Sequence, residues 1–207
     1  MIRIYHVPLT RSLRVIWLCE ELGLPYEAIP VDFSAEFRMS EEWLRMNPVG
    51  KVPVLTDGDL TLFESGAMVQ YLLDRYGKGA LQPAHGTPEH AIYLQWSWFA
   101  EATFARPLGE IVNHRRVFAK ADRSAAVIAE MQDRARLCVN AVDQALDGKA
   151  YLLGDEFSAA DIMMGYSLML TERLAPGDFP DNVARYASAL FSRPGYKAAL
   201  AAGEKGS

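Results

Sequence analysis

Cysteine is nearly absent from this chain, with two among 207 residues. Cys19 and Cys138 each fall in a helical pattern without metal-ligand spacing, so no metal is expected and both read as small buried apolar residues. A basic excess is also missing. Lys and Arg number 21 against 26 Asp and Glu, a net charge of −5, which argues against a general binder of nucleic acid. The most basic stretch, "NHRRVFAKADR" from Asn113 to Arg123, reads as a solvated helix end or loop. No apolar run approaches the ~18 residues that would span a bilayer. The opening "MIRIYHVP" carries an early charge and lacks the apolar stretch of a signal, so it reads as a first strand. No membrane association is expected, and a soluble, cytoplasmic protein is. No repeat or low-complexity tract occurs.

What is present is a globular composition, 50% hydrophobic and 23% charged, in a chain long enough for one or two compact domains. The first eighty residues alternate in kind. "IRIY" predicts a strand, Ser12 to Gly23 a helix with an apolar face, "YEAIPV" a second strand, and "SEEWLRM" a short helix capped by Ser40. "VPVLTDGDLTLF" predicts an antiparallel hairpin turning at Asp-Gly, and "ESGAMVQYLLDRYG" a helix from Ser65 to about Gly77. The order βαβ then ββα suggests a small mixed sheet covered by helices.

Glycine, proline and polar residues concentrate between Gly77 and His90, as in a linker. Beyond it strand signals nearly vanish. Tyr93 to Phe104 is aromatic and helical, Ser124 to Leu146 carries one apolar stripe, and "FSAADIMMGYSLML" opens with Ser158 three residues before Asp161. That last segment is apolar enough to be a buried central helix, and Asn182–Ser192 and Pro194–Ala202 predict two more. The fold class is therefore α/β plus all-α, with expected limits of 1–79 for the mixed domain, 80–87 for a linker and 88–207 for the helices.

Three stretches of the first domain carry chemistry. "PLTRS" puts the hydroxyls of Thr10 and Ser12 around Arg11 at the start of helix one, as a cap or as a reactive turn. "NPVGKVPVL" places Val52 before Pro53 at a strand start. This is either an edge strand at a trans proline or a turned backbone whose Val52 N–H and C=O pair with an extended peptide. "FESGAM" joins a strand to a helix N-terminus through Glu64 and Ser65. The two serve as a cap with an adjacent acid, or as holders of a ligand's carboxylate and ammonium. In one fold the three would read a small zwitterionic peptide.

These motifs, in this order, with the linker and an all-α domain bearing "FSAADI", resemble the cytosolic glutathione transferases over essentially the whole chain. The resemblance implies a thioredoxin-like first domain with cis Pro53, glutathione as co-substrate, and a homodimer. It implies that Val52 pairs with the cysteinyl part of glutathione, that Glu64 and Ser65 hold the γ-glutamyl end, and that Lys51 lies near the glycine carboxylate. Aligned on the serine-using theta and delta classes, Thr10 takes the activating position. Aligned on the cysteine-using beta class, Arg11 takes the cysteine's place and Ser12 follows. No cysteine occurs in this turn, which disfavours mixed-disulfide chemistry, and Tyr5 lies too early to be the family's tyrosine.

A free thiol with a pKa near 8.5 is mostly protonated at neutral pH, and only its thiolate is a good nucleophile. A drop of roughly two units requires about 2.7 kcal/mol. One hydrogen bond to a charged group supplies about 1.5–3 kcal/mol. Thr10 or Ser12 suffices, with Arg11 assisting if it points inward. A small hydrophobic electrophile is expected against Trp96, Phe99, Thr103 and Arg106, which share a helix face, with Tyr166 approaching from the buried helix. The leading reading is conjugation of glutathione to such electrophiles. The alternatives are a glutathione-dependent peroxidase or disulfide reductase, and a non-catalytic glutathione-binding regulator.

Overall fold

The structure, a computed structural model, describes residues 1–204. It contains two compact units, one comprising Met1–Leu81 with the described chain from Ser192 onward, the other Gln82–Phe191.

The first unit is built on strands β1 (Ile2–His6), β2 (Tyr26–Pro30), β3 (Val54–Asp57) and β4 (Leu60–Phe63), in the spatial order β2-β1-β3-β4. Helix α1 (Ser12–Leu22) forms the crossover that makes β1 and β2 parallel, while β3 runs antiparallel to both β1 and β4. This is the expected βαβ-ββα order, and with the second, helical unit it gives a thioredoxin-like domain followed by an all-helical one. The hairpin turns one residue later than Asp-Gly suggests. Asp57 stays in the ladder opposite Leu60, and Gly58 at φ +59 takes the first turn position. Asp57 is held there because its carboxylate accepts from Tyr76 and, at 2.9 Å, from Tyr71. Helix α4 (Ser65–Tyr76) packs beside α1. A four-residue helix, α2 (Ala35–Arg38), precedes α3 (Glu41–Met46) and is too short to leave a periodic trace. Ser40 caps α3 as predicted, accepting from Trp43 N at 3.2 Å.

The last helix, α10 (Pro194–Glu204), follows the helical domain in chain order but packs with the first unit. Its anchor is Arg193, whose Nε and Nη2 donate to the two oxygens of Glu21 at 2.8 and 2.7 Å. Trp17 Nε1 donates to Glu21 at 2.8 Å and stacks edgewise on Tyr196 at 4.9 Å. Burial alone would push the Glu21 carboxyl up, but the Arg193 and Trp17 hydrogen bonds win and hold it below the usual carboxylate range.

The second unit holds α5 (Pro88–Trp98), α6 (Ala105–Val112), α7 (Ala125–Ala145), α8 (Ala159–Leu174) and most of α9 (Asp181–Ser192). The aromatic stretch predicted as one helix to Phe104 widens into a π-helix over Phe99–Phe104. Pro107 follows shortly, and its missing N–H interrupts the regular ladder. Ser124 caps α7. Ser158 and Asp161 form the expected capping box on α8, which is buried over most of its length. Asp161 is fully buried, accepting from Ser158 N, Leu152 N and Tyr186 Oη at 2.8, 3.0 and 2.6 Å. Among the described residues no helix is long and apolar enough to cross a membrane.

Asp161→Ala strands four buried donors at once, the fourth being Ser158 Oγ at 2.9 Å. The expected cost is about 3–4 kcal/mol, a fall in Tm of roughly 6–16 °C for a chain of this size. A calorimetric Tm within a degree of wild type would refute this role.

Candidate active site

Strand pairing decides which loops meet. Tyr5 of β1 lies opposite Val54 of β3, and Val54 lies opposite Phe63 of β4. The turn after β1, the loop before β3 and the residues after β4 therefore share one edge of the sheet, although the sequence separates them widely.

The first of these is a tight turn. Thr10 N donates to Val7 O at 3.3 Å, Pro8 supplies the fixed φ of the first central position, and Leu9 occupies the second at φ +59. A leucine in that left-handed region is strained, a condition that gathers at functional sites. The turn brings two hydroxyls together. Thr10 Oγ1 and Ser12 Oγ lie 2.9 Å apart, and both donate toward Val7 O, at 2.8 and 3.1 Å. Neither caps α1 by way of the N-cap position, which Arg11 fills with helical dihedrals and no side-chain cap bond. The hydroxyls are turned back onto Val7 instead, with Ser12 buried and Thr10 half-buried.

The second stretch is fixed by Asn47, a buried residue whose Nδ2 donates to Lys51 O at 2.9 Å and whose Oδ1 accepts from Val49 N at 3.2 Å. Gly50 closes this turn at φ +61, and a Cβ there would stand 2.7 Å from Arg38 O. The Val52–Pro53 peptide is cis, and β3 begins only at Val54. Among the described residues the Val52 backbone N–H and C=O have no hydrogen-bond partner. Lys51 is exposed beside them.

The third stretch starts α4. Glu64 holds the second strained non-glycine conformation, φ +78, and its side chain is exposed. Ser65 is buried, and Arg14, itself fully buried in α1, donates to Ser65 Oγ at 3.3 Å. No side chain caps the first turn of α4. Helix amides, a hydroxyl and a buried guanidinium behind it make an anion site. The sequence reading missed Arg14, Asn47 and Arg38. Only Asn47 left a signal, as the first residue of the turn-forming tetrad "NPVG".

Neither cysteine is available as a nucleophile. Burial, helped by the Glu20 charge, pushes the Cys19 thiol up to about 12, and burial raises Cys138 as well.

In the second unit the five expected electrophile contacts separate. Thr103 and Arg106 line a groove of about 970 Å³ with Glu110, Met131 and Arg134. Phe99 packs edgewise on Trp96 and Phe104, at 5.3 and 6.3 Å. Tyr166 is buried in α8. Neither Phe99 nor Tyr166 lines the groove.

Residues 2–74 match the family model "Glutathione S-transferase, N-terminal domain", and residues 125–201 match "Glutathione S-transferase, C-terminal domain". A glutathione S-transferase of Hyoscyamus muticus is 30% identical over 91% of this chain and 92% of its own. The disulfide-bond oxidoreductase YfcG of Escherichia coli is 30% identical over 78% of this chain and 76% of its own. Among solved structures, the glutathione transferase URE2P8 of Phanerochaete chrysosporium, with oxidized glutathione, superposes with a TM-score of 0.89 at 25% identity, covering 99% of this chain and 95% of that one.

Gly50→Ala forces a side chain into the left-handed region and against the Arg38 carbonyl. The expected loss is at least about 1–2 kcal/mol, or roughly 2–8 °C in Tm. An unchanged Tm would show that the loop adapts at no cost.

Proposed function

The chain belongs to the glutathione S-transferase family, and on that premise we propose that it activates the glutathione thiol with the hydroxyl of Thr10. The observation that carries this is the meeting of three distant stretches at one sheet edge. In this reading Val52 pairs through its backbone with the cysteinyl residue. Glu64 holds the ammonium of the γ-glutamyl end, while Ser65, backed by Arg14 and the α4 amides, holds its carboxylate. Lys51 faces the glycine carboxylate, and the sulfur falls against the turn after β1.

Thr10 is favoured over Ser12 by proton count. Two hydroxyl protons serve three short contacts, two to Val7 O and one between the hydroxyls. Ser12, more deeply buried, can hold its proton between Val7 O and Thr10 Oγ1 as a three-centre bond. Thr10 then turns toward the sulfur the proton that it otherwise gives to Val7 O at 2.8 Å. An alcohol is too weak a base to take the thiol proton, so Thr10 stabilises the thiolate, the proton leaves to solvent, and Arg11 adds positive charge at the turn. The thiolate then attacks the electrophilic carbon and forms a C–S bond, either as a leaving group such as chloride departs with its electron pair, or as an activated double bond opens and its far carbon takes a proton from solvent. The electrophile is a small hydrophobic molecule, with Thr103 and Arg106 as its polar contacts and Phe99 and Tyr166 as packing behind them. The protein works as a homodimer in the cytoplasm.

A second reading is glutathione-dependent disulfide reduction, favoured by the likeness to YfcG. It too needs a glutathione thiolate, since the chain offers no reactive thiol of its own. Side-by-side assays with 1-chloro-2,4-dinitrobenzene, a hydroperoxide and a mixed disulfide separate the readings.

Thr10→Ala is expected to lower kcat/KM at neutral pH ten-fold or more, the loss of a hydrogen bond of about 1.5–3 kcal/mol to a charged sulfur. Glutathione Kd by calorimetry should stay within about two-fold, because the peptide contacts lie elsewhere. Thr10→Ser should retain most activity. If Ser12→Ala causes the loss and Thr10→Ala does not, the donor is Ser12.

A further inference from the structure

Strand β1 turns Ile2, Ile4 and His6 to its buried face. The first two are ordinary core residues. The third is a histidine 1% exposed whose Nδ1 and Nε2 have no hydrogen-bond partner among the described residues. Burial lowers its pKa, so the ring is a neutral imidazole with one donor and one acceptor to satisfy. Buried polar atoms left unpaired by protein are uncommon and call for a water or a ligand. One site for it adjoins the ring. A partly open cavity of about 70 Å³ is lined by His6, Val7, Leu9 and Ser12, with Leu13, Ile16 and Ala199 along its walls.

We propose that this cavity holds ordered water joining His6 to Ser12, which makes His6 a positioning residue for the activating turn. The volume suits one or two waters at about 30 Å³ each, and the two ring nitrogens with Ser12 Oγ supply the polar partners that bound water needs. Water accepts from the imidazole N–H and donates to Ser12 Oγ. That bond holds the Ser12 hydroxyl with its proton directed at Val7 O and Thr10 Oγ1, at 3.1 and 2.9 Å. With Ser12 still donating to Val7 O, Thr10 can give up its own 2.8 Å bond to that carbonyl and donate to the sulfur instead. All donors in the chain point toward the thiolate, so each polarises the next, and no proton changes owner. The proposal rests on the reading of Thr10 as the activating donor.

The test compares wild type, His6→Phe, which fills the space without polar atoms, and His6→Gln, which keeps a donor and an acceptor. The readouts are the pH profile of kcat/KM and glutathione Kd by calorimetry. Activity rises with pH through the pKa of the bound thiol, because the thiolate is the reactive form. His6→Phe should move that rise upward by about half a pH unit or more and lower kcat/KM at neutral pH roughly three- to ten-fold, with Kd within about two-fold. His6→Gln should recover most of the loss, and His6→Phe should add nothing in a Ser12→Ala background. Gly203→Leu, on α10 at the cavity wall where an added Cβ meets nothing within 4 Å, places an apolar side chain at the cavity while leaving His6 in the sequence, and by displacing the water should shift the profile the same way. It decides the matter should the His6 variants fail to fold. A folded His6→Phe protein with the wild-type profile overturns the proposal, as does a loss undiminished in Ser12→Ala. If wild type does not bind glutathione, or Thr10→Ala leaves the profile unmoved, the reading of the active site fails instead.

Discussion

The antiparallel pairing of β3 with both β1 and β4 is the constraint on which the candidate site depends. Through the register Tyr5–Val54–Phe63, the end of β1, the start of β3 and the end of β4 are forced to one edge of the sheet. A slip of one residue would turn Ile2, Ile4 and Val54 out of the core, so burial of those side chains fixes the register and with it the site. Each of the three loops is then trimmed by local chemistry: the strained turn at Leu9, the Asn47 clamp, and the left-handed Glu64 at the head of α4. Strain of this kind persists only where the surrounding structure over-determines it.

The chemistry that results is one of borrowed reactivity. Both cysteines are buried with raised pKa values, and neither belongs to the turn. What the protein contributes is a set of positive and hydrogen-donating groups: the α4 amides, Arg14 behind Ser65, and the paired hydroxyls after β1. These stabilise anions rather than attack carbon, which suits a protein that binds a thiol and lowers its pKa. On the proposed reading the same set would serve conjugation and disulfide reduction alike, so the choice between them would lie with the second substrate.

Much of this could be read from the sequence, and the misses share a physical reason. Periodicity and caps located the strands, α1, α3, α4, α7 and α8, because apolar spacing and the hydroxyls of Ser40 and Ser158 are local signals. The packing of α10 on α1 was not legible, since an apolar stripe reveals a buried face but not the surface that buries it. The bidentate Arg193–Glu21 pair that directs it spans nearly the whole chain. Arg14 and His6 were hidden for a related reason. A charged or titratable residue inside an apolar pattern reads as a solvated interruption until the fold buries it. Tyr166 shows the converse, an aromatic on a helix face that the structure places in the core. The hydroxyl turn was located correctly, but not its bonding onto Val7.

The most direct test of the central claim is a pH titration of thiolate absorbance for glutathione bound to the wild-type protein. Free thiol titrates near 8.5, and a single charge-assisted hydrogen bond accounts for a fall of roughly one to two units. The account predicts a bound thiol that ionises near neutral pH or below. A bound thiol that titrates as it does in water would contradict it.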